Sequence, residues 1–277
     1  MKKDKFCFIH IEKAGGTTIH NWLKYYLPNY LSLSPFYIWT NEKESEFTKK
    51  EFAILKVFHP FLSGIGGHRL RSFLDYESLY DGDFKYFTFL RSPIPRYLSH
   101  FQHQRDVMLN NRTFDDFLQE KRFNNFMCVK ICGKQDGELA FSYLKEKYSF
   151  VGFIEQFNKS LFVLSKILGN QNLIPLYEKK NEGHPKNKLN FNFLLPEQQK
   201  AVIKNNKEDI KLYELAFEYY SELYDNDFIN NFDSDLKLME NKLNKFKYNK
   251  FRKHIIRIYK GYNYYLTEPL SRVILKK

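Results

Sequence analysis

Lys5-Phe-Cys-Phe-Ile-His-Ile-Glu-Lys-Ala-Gly-Gly-Thr-Thr18 passes from an apolar run into a glycine pair and then two threonines. Lys5 to Ile11 read as a buried first strand. Glu12 to Thr17 form a turn containing Gly15-Gly16, and Thr17 to about Leu27 continue as a helix with Ile19, Trp22, Leu23 and Tyr26 on one face. A turn between a strand end and a helix start aims free backbone N–H groups at whatever lies above it, and the helix dipole favours an anion there. Gly15 and Gly16 let the backbone approach a phosphate closely, Thr17 and Thr18 add hydroxyl donors, and Lys13 supplies a mobile positive charge. The stretch reads as a phosphate cradle. The competing reading is an ordinary glycine turn beside a solvated lysine. The nucleoside-triphosphate P-loop is rejected by spacing, because it needs lysine after the glycines and here Lys13 precedes them.

Tyr86-Phe-Thr-Phe-Leu-Arg-Ser-Pro-Ile-Pro-Arg-Tyr-Leu-Ser99 repeats the arrangement. Phe84 to Leu90 is rich in residues that suit a pleated sheet. Ser92 followed by Pro93 resembles an N-cap with proline at the first helical position, opening a helix through about Val107. Arg91, at the strand's end, can grip a phosphate by two parallel hydrogen bonds. Ser99 lies a turn or two into the helix, on the face it shares with Arg96. The plainer alternative pairs Arg91 with an acidic neighbour and leaves Ser99 on a helix surface. Two strand–turn–helix units predict an α/β fold with a central parallel sheet flanked by helices.

Other elements are less sharply marked. Pro28 to Thr48 reads as irregular, and a second strand is expected near Leu55–Phe58 or Phe61–Ile65, before Gly66-Gly67-His68. Phe150 to Ile154 and Leu173 to Tyr177 are further strand candidates. Helices are expected over Asn158–Leu168, Pro196–Asn206 and Asp209–Leu223.

With 277 residues, 43% hydrophobic, the chain can bury one substantial core. Cys7, Cys128 and Cys132 form no disulfide framework, which points to reduced thiols. Cys128 and Cys132, one helical turn apart, lack a second ligand pair and read as core packing. The N-terminal apolar run is too short for a secretion signal, and nothing approaches the roughly 20 apolar residues of a membrane span. A cytoplasmic protein is expected. The formal charge of +12 is concentrated in the tail: Lys242 to Lys277 carry 11 Lys/Arg against Glu268 alone, whereas the other 241 residues carry 33 basic and 31 acidic groups.

The two loops together resemble the carbohydrate-type sulfotransferases, a P-loop-like family that includes the heparan sulfate O-sulfotransferases. His10 to Thr18 looks like the family's 5′-phosphosulfate loop, with Lys13, Ala14, Gly15, Gly16, Thr17 and Thr18 in the binding positions. Phe89 to Phe101 looks like its 3′-phosphate motif, with Arg91 and Ser99 as the binding residues and Ser92-Pro93 where the family often has Asp-Pro. Glu12 stands where proline is frequent. Weaker similarity continues through Asn125–Gly133, Val151–Ser160 and Asn206–Ala216, without a role for Val129 or Lys130. The resemblance implies 3′-phosphoadenylyl sulfate as donor, adenosine 3′,5′-bisphosphate as product, no metal, and a hydroxyl acceptor on a glycan or glycolipid.

Related sulfotransferases often have a Gly-His pair near the position of Gly67-His68. Neutral histidine suits proton removal near pH 7, so His68 is the expected base, with His59 and Glu12 as alternatives. His10 reads as a hydrogen-bonded core histidine. Arg69 and Arg71 are candidates to line the acceptor pocket or are exposed loop charges, and His100 and His103 read as surface or packing residues. Other function classes are a kinase-like phosphotransferase and a non-catalytic peripheral membrane module.

On this reading residues 1–228 form the sulfotransferase domain and residues 229–277 a basic helical extension. Phe251, Ile255, Ile258, Tyr262 and Tyr265 recur at spacings of four and three among Lys250, Arg252, Lys253, Arg257 and Lys260. That is an amphipathic basic helix, suited either to an anionic membrane surface at the inner face of the cytoplasmic membrane or to packing on the body. No base-reading module accompanies the charge, so nucleic acid is not an expected partner.

Overall fold

The computed structural model describes residues 5–27, 29–33, 46–80, 84–106, 108, 111–169, 174–178, 189–228, 232–267, 269–270 and 274. Among the described residues five strands, β1 (Lys5–Ile9), β2 (Tyr30–Ser32), β3 (Gly64–Gly67), β4 (Phe84–Leu90) and β5 (Tyr148–Phe153), form one all-parallel sheet in the order β2-β3-β1-β4-β5. β1 is central and apolar because helices cover both faces. Phe8 stacks on Phe87 of β4 with ring centroids 5.0 Å apart, and the Thr88 hydroxyl donates to the Ile9 carbonyl at 2.8 Å.

The chain leaves β1 through α1 (Gly16–Tyr26) toward β2 on one side, and leaves β4 through α3 (Pro93–Asp106) toward β5 on the other. Neighbouring strands whose connections diverge open a crevice at their carboxyl ends, the usual ligand position in open parallel sheets. Both expected loops flank that crevice.

The first strand, first helix, fourth strand and third helix fall within two residues of their expected bounds. Three expectations on weaker segments need correction. Leu55–Phe58 ends a helix, α2 (Lys49–Phe58), opened by a capping box between Thr48 and Glu51. The second-strand alternative at Phe61–Ile65 overlaps β3, which runs two residues further along the chain. Within Pro28–Thr48, Tyr30–Ser32 forms edge strand β2, and residues 34–45 lie outside the described set. Residues 174–178 are not a strand: the Leu176 amide turns back to the Ile174 carbonyl at 2.8 Å, which takes it out of any ladder, and Leu173 is not described.

Helices α4 (Phe114–Gln119), α5 (Phe126–Cys132), α6 (Gly137–Lys147), α7 (Phe157–Ile167), α8 (Pro196–Asn205) and α9 (Lys207–Phe228) complete the body. α5 and α9 cap each other. Asp209 of α9 accepts from the Met127 and Cys128 amides at 3.0 and 2.9 Å, while Asn125 accepts from the Glu208 amide at 2.9 Å. Beyond them, α10 (Phe232–Leu243) delivers Met239 and Leu243 to the same core as the sheet, and Tyr248 joins them. α11 (Lys250–Tyr262) contributes no buried residue and runs into a π-helical turn, Asn263–Thr267.

Candidate active site

The loop after β1 holds two residues in left-handed conformation, Lys13 at φ 67° and Gly15 at φ 70°. Gly16 opens α1, and a Cβ there would lie 1.7 Å from His10 Nε2, so only glycine lets the helix start against that imidazole. The Gly15 carbonyl accepts from the Thr18 and Ile19 amides at 3.1 and 3.3 Å. The Gly16 and Thr17 amides fall in the first helical turn, where no intrahelical acceptor exists. Ala14 is buried, Thr17 exposed and Thr18 half-buried.

The loop after β4 is tied to the first. Arg91 Nη1 donates to the Lys13 carbonyl at 3.1 Å. Burial pushes the Lys13 ammonium below its ordinary pKa, and the nearby Arg91 charge pushes it further. Arg91 is likewise lowered by burial, against the opposing pull of Glu155. Two adjacent cations, each made costly by partial burial, form a receptor for anionic groups. Glu155 accepts from the Ser92 amide and the Tyr213 hydroxyl, both at 2.8 Å, fixing the start of α3. Ser99 is half-buried further along α3, and its hydroxyl has no hydrogen-bond partner among the described residues. Arg96 belongs to the core: it is fully buried, 3.9 Å from Asp209 and 5.0 Å above the Phe126 ring.

Beside these loops, His68 follows β3 and meets Glu12 of the first loop, Nδ1 to Oε1, at 3.3 Å. Lys130 of α5 is 2.9 Å from the same carboxylate oxygen and donates to the His68 carbonyl at 2.8 Å, where Arg71 also donates at 2.6 Å. Two cations thus hold the His68 backbone and one carboxylate faces its ring. Burial pushes the Glu12 carboxyl up, but Lys130 and His68 outweigh it and hold the group well below the usual carboxylate range. Glu12 is therefore ionised. Nδ1 faces that carboxylate without meeting hydrogen-bond geometry, and Nε2 is the ring nitrogen not turned to it. The His68 side chain is 24% exposed against 12% for Glu12, so the imidazole is the more accessible group.

Beneath His68 lies a buried cluster of rings. His68 stacks on His10 with centroids 3.9 Å apart, His10 Nδ1 is 3.0 Å from His20 Nε2, and the Tyr30 hydroxyl is 2.8 Å from His20 Nδ1. Burial chiefly, with the neighbouring imidazoles, pushes His10 well below its ordinary pKa. His20 is lowered well below it too, by burial and then by Lys24. Both are neutral. Gly66 makes room for this cluster, since a Cβ there would meet the Tyr30 hydroxyl at 1.9 Å.

Lys13, Arg91, His68 and Glu12 thus converge on the carboxyl ends of β1, β3 and β4. His59 does not join them. It lies between α2 and the amino end of β3, bonded to Thr267 and Tyr259 at 3.2 and 3.1 Å. Neither arginine is an exposed loop charge. Arg69 pairs with Glu51 at 3.0 Å, and Arg71 donates to the Leu70 carbonyl at 2.9 Å and lies 3.8 Å from Glu46. His10 is the hydrogen-bonded core residue its strand position implied. His100 packs against Phe117, Phe123 and Phe126, and Cys128 and Cys132 are buried as free thiols. The sequence left Lys130 without a role. The available signal was one charge within the apolar stretch Phe126-Met-Cys-Val-Lys-Ile-Cys132, a pattern that asks for a buried counter-ion.

A family model described as "Sulfotransferase family" matches residues 1–220. No curated protein is matched by the chain.

Proposed function

Since the chain belongs to the sulfotransferase family, we propose that it transfers the sulfuryl group of 3′-phosphoadenylyl sulfate to a carbohydrate hydroxyl, with His68 as base. The observation that carries this reading is the hydrogen bond from Arg91 to the Lys13 carbonyl. It makes one receptor of two strand-to-helix loops, as a donor with phosphate groups at both its 5′ and 3′ positions requires. Lys13 and the loop Ala14, Gly15, Gly16, Thr17 and Thr18 hold the 5′-phosphosulfate, and Arg91 with Ser99 holds the 3′-phosphate. The carbohydrate acceptor rests on the motif resemblance.

In this scheme the acceptor oxygen attacks sulfur in line. The new S–O bond forms as the bond from sulfur to the 5′-phosphate oxygen breaks, and the electron pair stays on the departing phosphate. Lys13 and the first-turn amides stabilise that growing charge. The acceptor proton passes to His68 Nε2. Glu12 stabilises the resulting imidazolium across Nδ1, while Lys130 and Arg71 keep the ring from drifting by holding its own carbonyl.

The test is transfer of labelled sulfate from the donor to a panel of cell-envelope glycans. Lys13→Ala should reduce the rate by about 10²–10³-fold. His68→Ala should abolish most turnover while donor binding persists. Normal transfer by Lys13→Ala would show the loop chemistry to be wrong, and an active His68→Ala would move the base elsewhere.

A second reading concerns the tail, where Phe251 and Ile258 are 74% and 61% exposed among basic neighbours. This supports an anionic membrane surface as the partner of α11. Equal sedimentation with anionic vesicles, with and without residues 242–277, would remove it.

A further inference from the structure

Between edge strand β2 and tail helix α11 lies a cavity of about 670 Å³, within the roughly 300–1,000 Å³ typical of small-molecule sites. The end of α1 and β2 supply one wall, with Lys24, Leu27 and Leu33. α11 supplies the other, with Ile255, Ile256 and Lys260. The first wall belongs to the stretch matched by the family model and the second lies beyond residue 220, so the cavity forms between the two.

Its chemistry is two-sided. Among the described residues the lining includes Lys24, Arg252 and Lys260 and no acidic one. Arg252 lies 4.8 Å above the Tyr25 ring, which engages its charge. Lys24 and Lys260 make no hydrogen bond or ion pair among the described residues, and they act on each other from opposite walls. Burial first, and then the Lys260 charge, bring the Lys24 ammonium down to about 8. Two ammonium groups that face each other across the cavity, with no acidic partner among the described residues, attract an anion. The rest of the lining sets Leu27, Leu33, Ile255 and Ile256 beside aromatic rings and the polar Asn29, Ser32 and Asn263, and a small inorganic anion would leave its apolar part in contact with water. Asn29, Ser32 and Asn263 offer a sugar polar partners, but along Leu27, Leu33, Ile255 and Ile256 its hydroxyls would find none among the side chains. A hydrocarbon chain covers those walls without that penalty.

We propose that this cavity binds an anionic amphiphile, with its head between Lys24 and Lys260 and its chain along Leu27, Leu33, Ile255 and Ile256. The site is separate from the loops after β1 and β4, so this inference does not depend on the sulfuryl-transfer reading.

The experiment is calorimetric titration of the full chain with dodecyl phosphate below its micellar concentration. Dodecyl maltoside and inorganic phosphate serve as comparators. Dodecyl phosphate should bind saturably, one per chain, at least about tenfold more tightly than either comparator. Lys24→Gln should remove that advantage, and Lys24→Arg should restore it. Equal affinity for inorganic phosphate would reduce the site to a simple anion contact, and equal affinity for the maltoside to an uncharged groove. Either outcome overturns the proposal, as does undiminished binding by Lys24→Gln. Should Lys24→Gln fail to fold, the comparison of the three ligands on the wild-type chain decides alone. No step of the test measures sulfate transfer, so its failure and that of the catalytic reading are told apart.

Discussion

The charges around His68 and the charges of α11 follow opposite rules. Around His68 the groups are committed: Lys130 serves Glu12 and the His68 carbonyl, Arg71 serves two carbonyls, and Glu12 is faced by both a lysine and a histidine. On α11 only part of the charge is engaged. Lys253 pairs with Glu178 at 2.8 Å and Arg252 lies over Tyr25, whereas Lys250, Arg257 and Lys260 have no hydrogen bond or ion pair among the described residues. The difference separates two uses of charge. Buried, fully partnered cations fix the position of a reactive group, while exposed, unpartnered ones remain available to an external anion.

The largest effect should come from breaking the committed set. Lys130→Ala leaves an ionised, enclosed Glu12 without its cation and removes a donor from His68. The fold should lose about 3–5 kcal/mol, read from urea unfolding, and a loss below 1 kcal/mol would mean that the pair behaves like a surface ion pair.

A smaller, pH-dependent effect should come from the buried imidazoles. His10, His20 and His100 are all harder to protonate in the fold than in the unfolded chain, and burial with Arg96 brings His100 down to about 3. The unfolded chain therefore binds more protons once the pH drops below about 6.5. Stability should be full above that value and should fall by up to about 1.4 kcal/mol per pH unit for each such histidine, down toward its folded pKa. Thermal melts between pH 7.5 and 5.5 check this, and His100→Phe should flatten the slope by one histidine's share. A pH-independent melting temperature over that range would contradict the assignment of neutral buried imidazoles.

The smallest effect on folding should come from the tail. Arg257→Gln should alter unfolding free energy by no more than about 0.5 kcal/mol. In vesicle sedimentation the same change should weaken binding to anionic lipid by about 1 kcal/mol. A variant that unfolds readily yet binds vesicles unchanged would reverse the contrast between the two regions.

Much of the candidate site was legible in sequence because its signals are local. An apolar run, a glycine pair and an amphipathic helix occur in succession at Lys5–Leu27, and again with Arg91 and Pro93 replacing the glycines at Phe84–Val107. Each spans one strand and one helix, so spacing alone marks the element, its end and the residues at that end. Weaker local signals failed. The capping box at Thr48 was hidden by a β-prone run at Ile54–Phe58, and Tyr30–Ser32 is a strand chiefly because β3 is there to pair with it.

By itself, then, the sequence determined two strand–loop–helix units, their cationic ends and the basic tail, because these depend on neighbours within a few residues. The tertiary structure decided which charges meet. Glu12 finds Lys130 and His68 only when β1, β3 and α5 are packed together, and Lys130 reaches the His68 carbonyl only through the same packing. It likewise decided that α11 lies beside β2 with a cavity between them. Coulombic and hydrogen-bond partners act over a few ångströms of space whatever their distance along the chain, and no local pattern records that proximity.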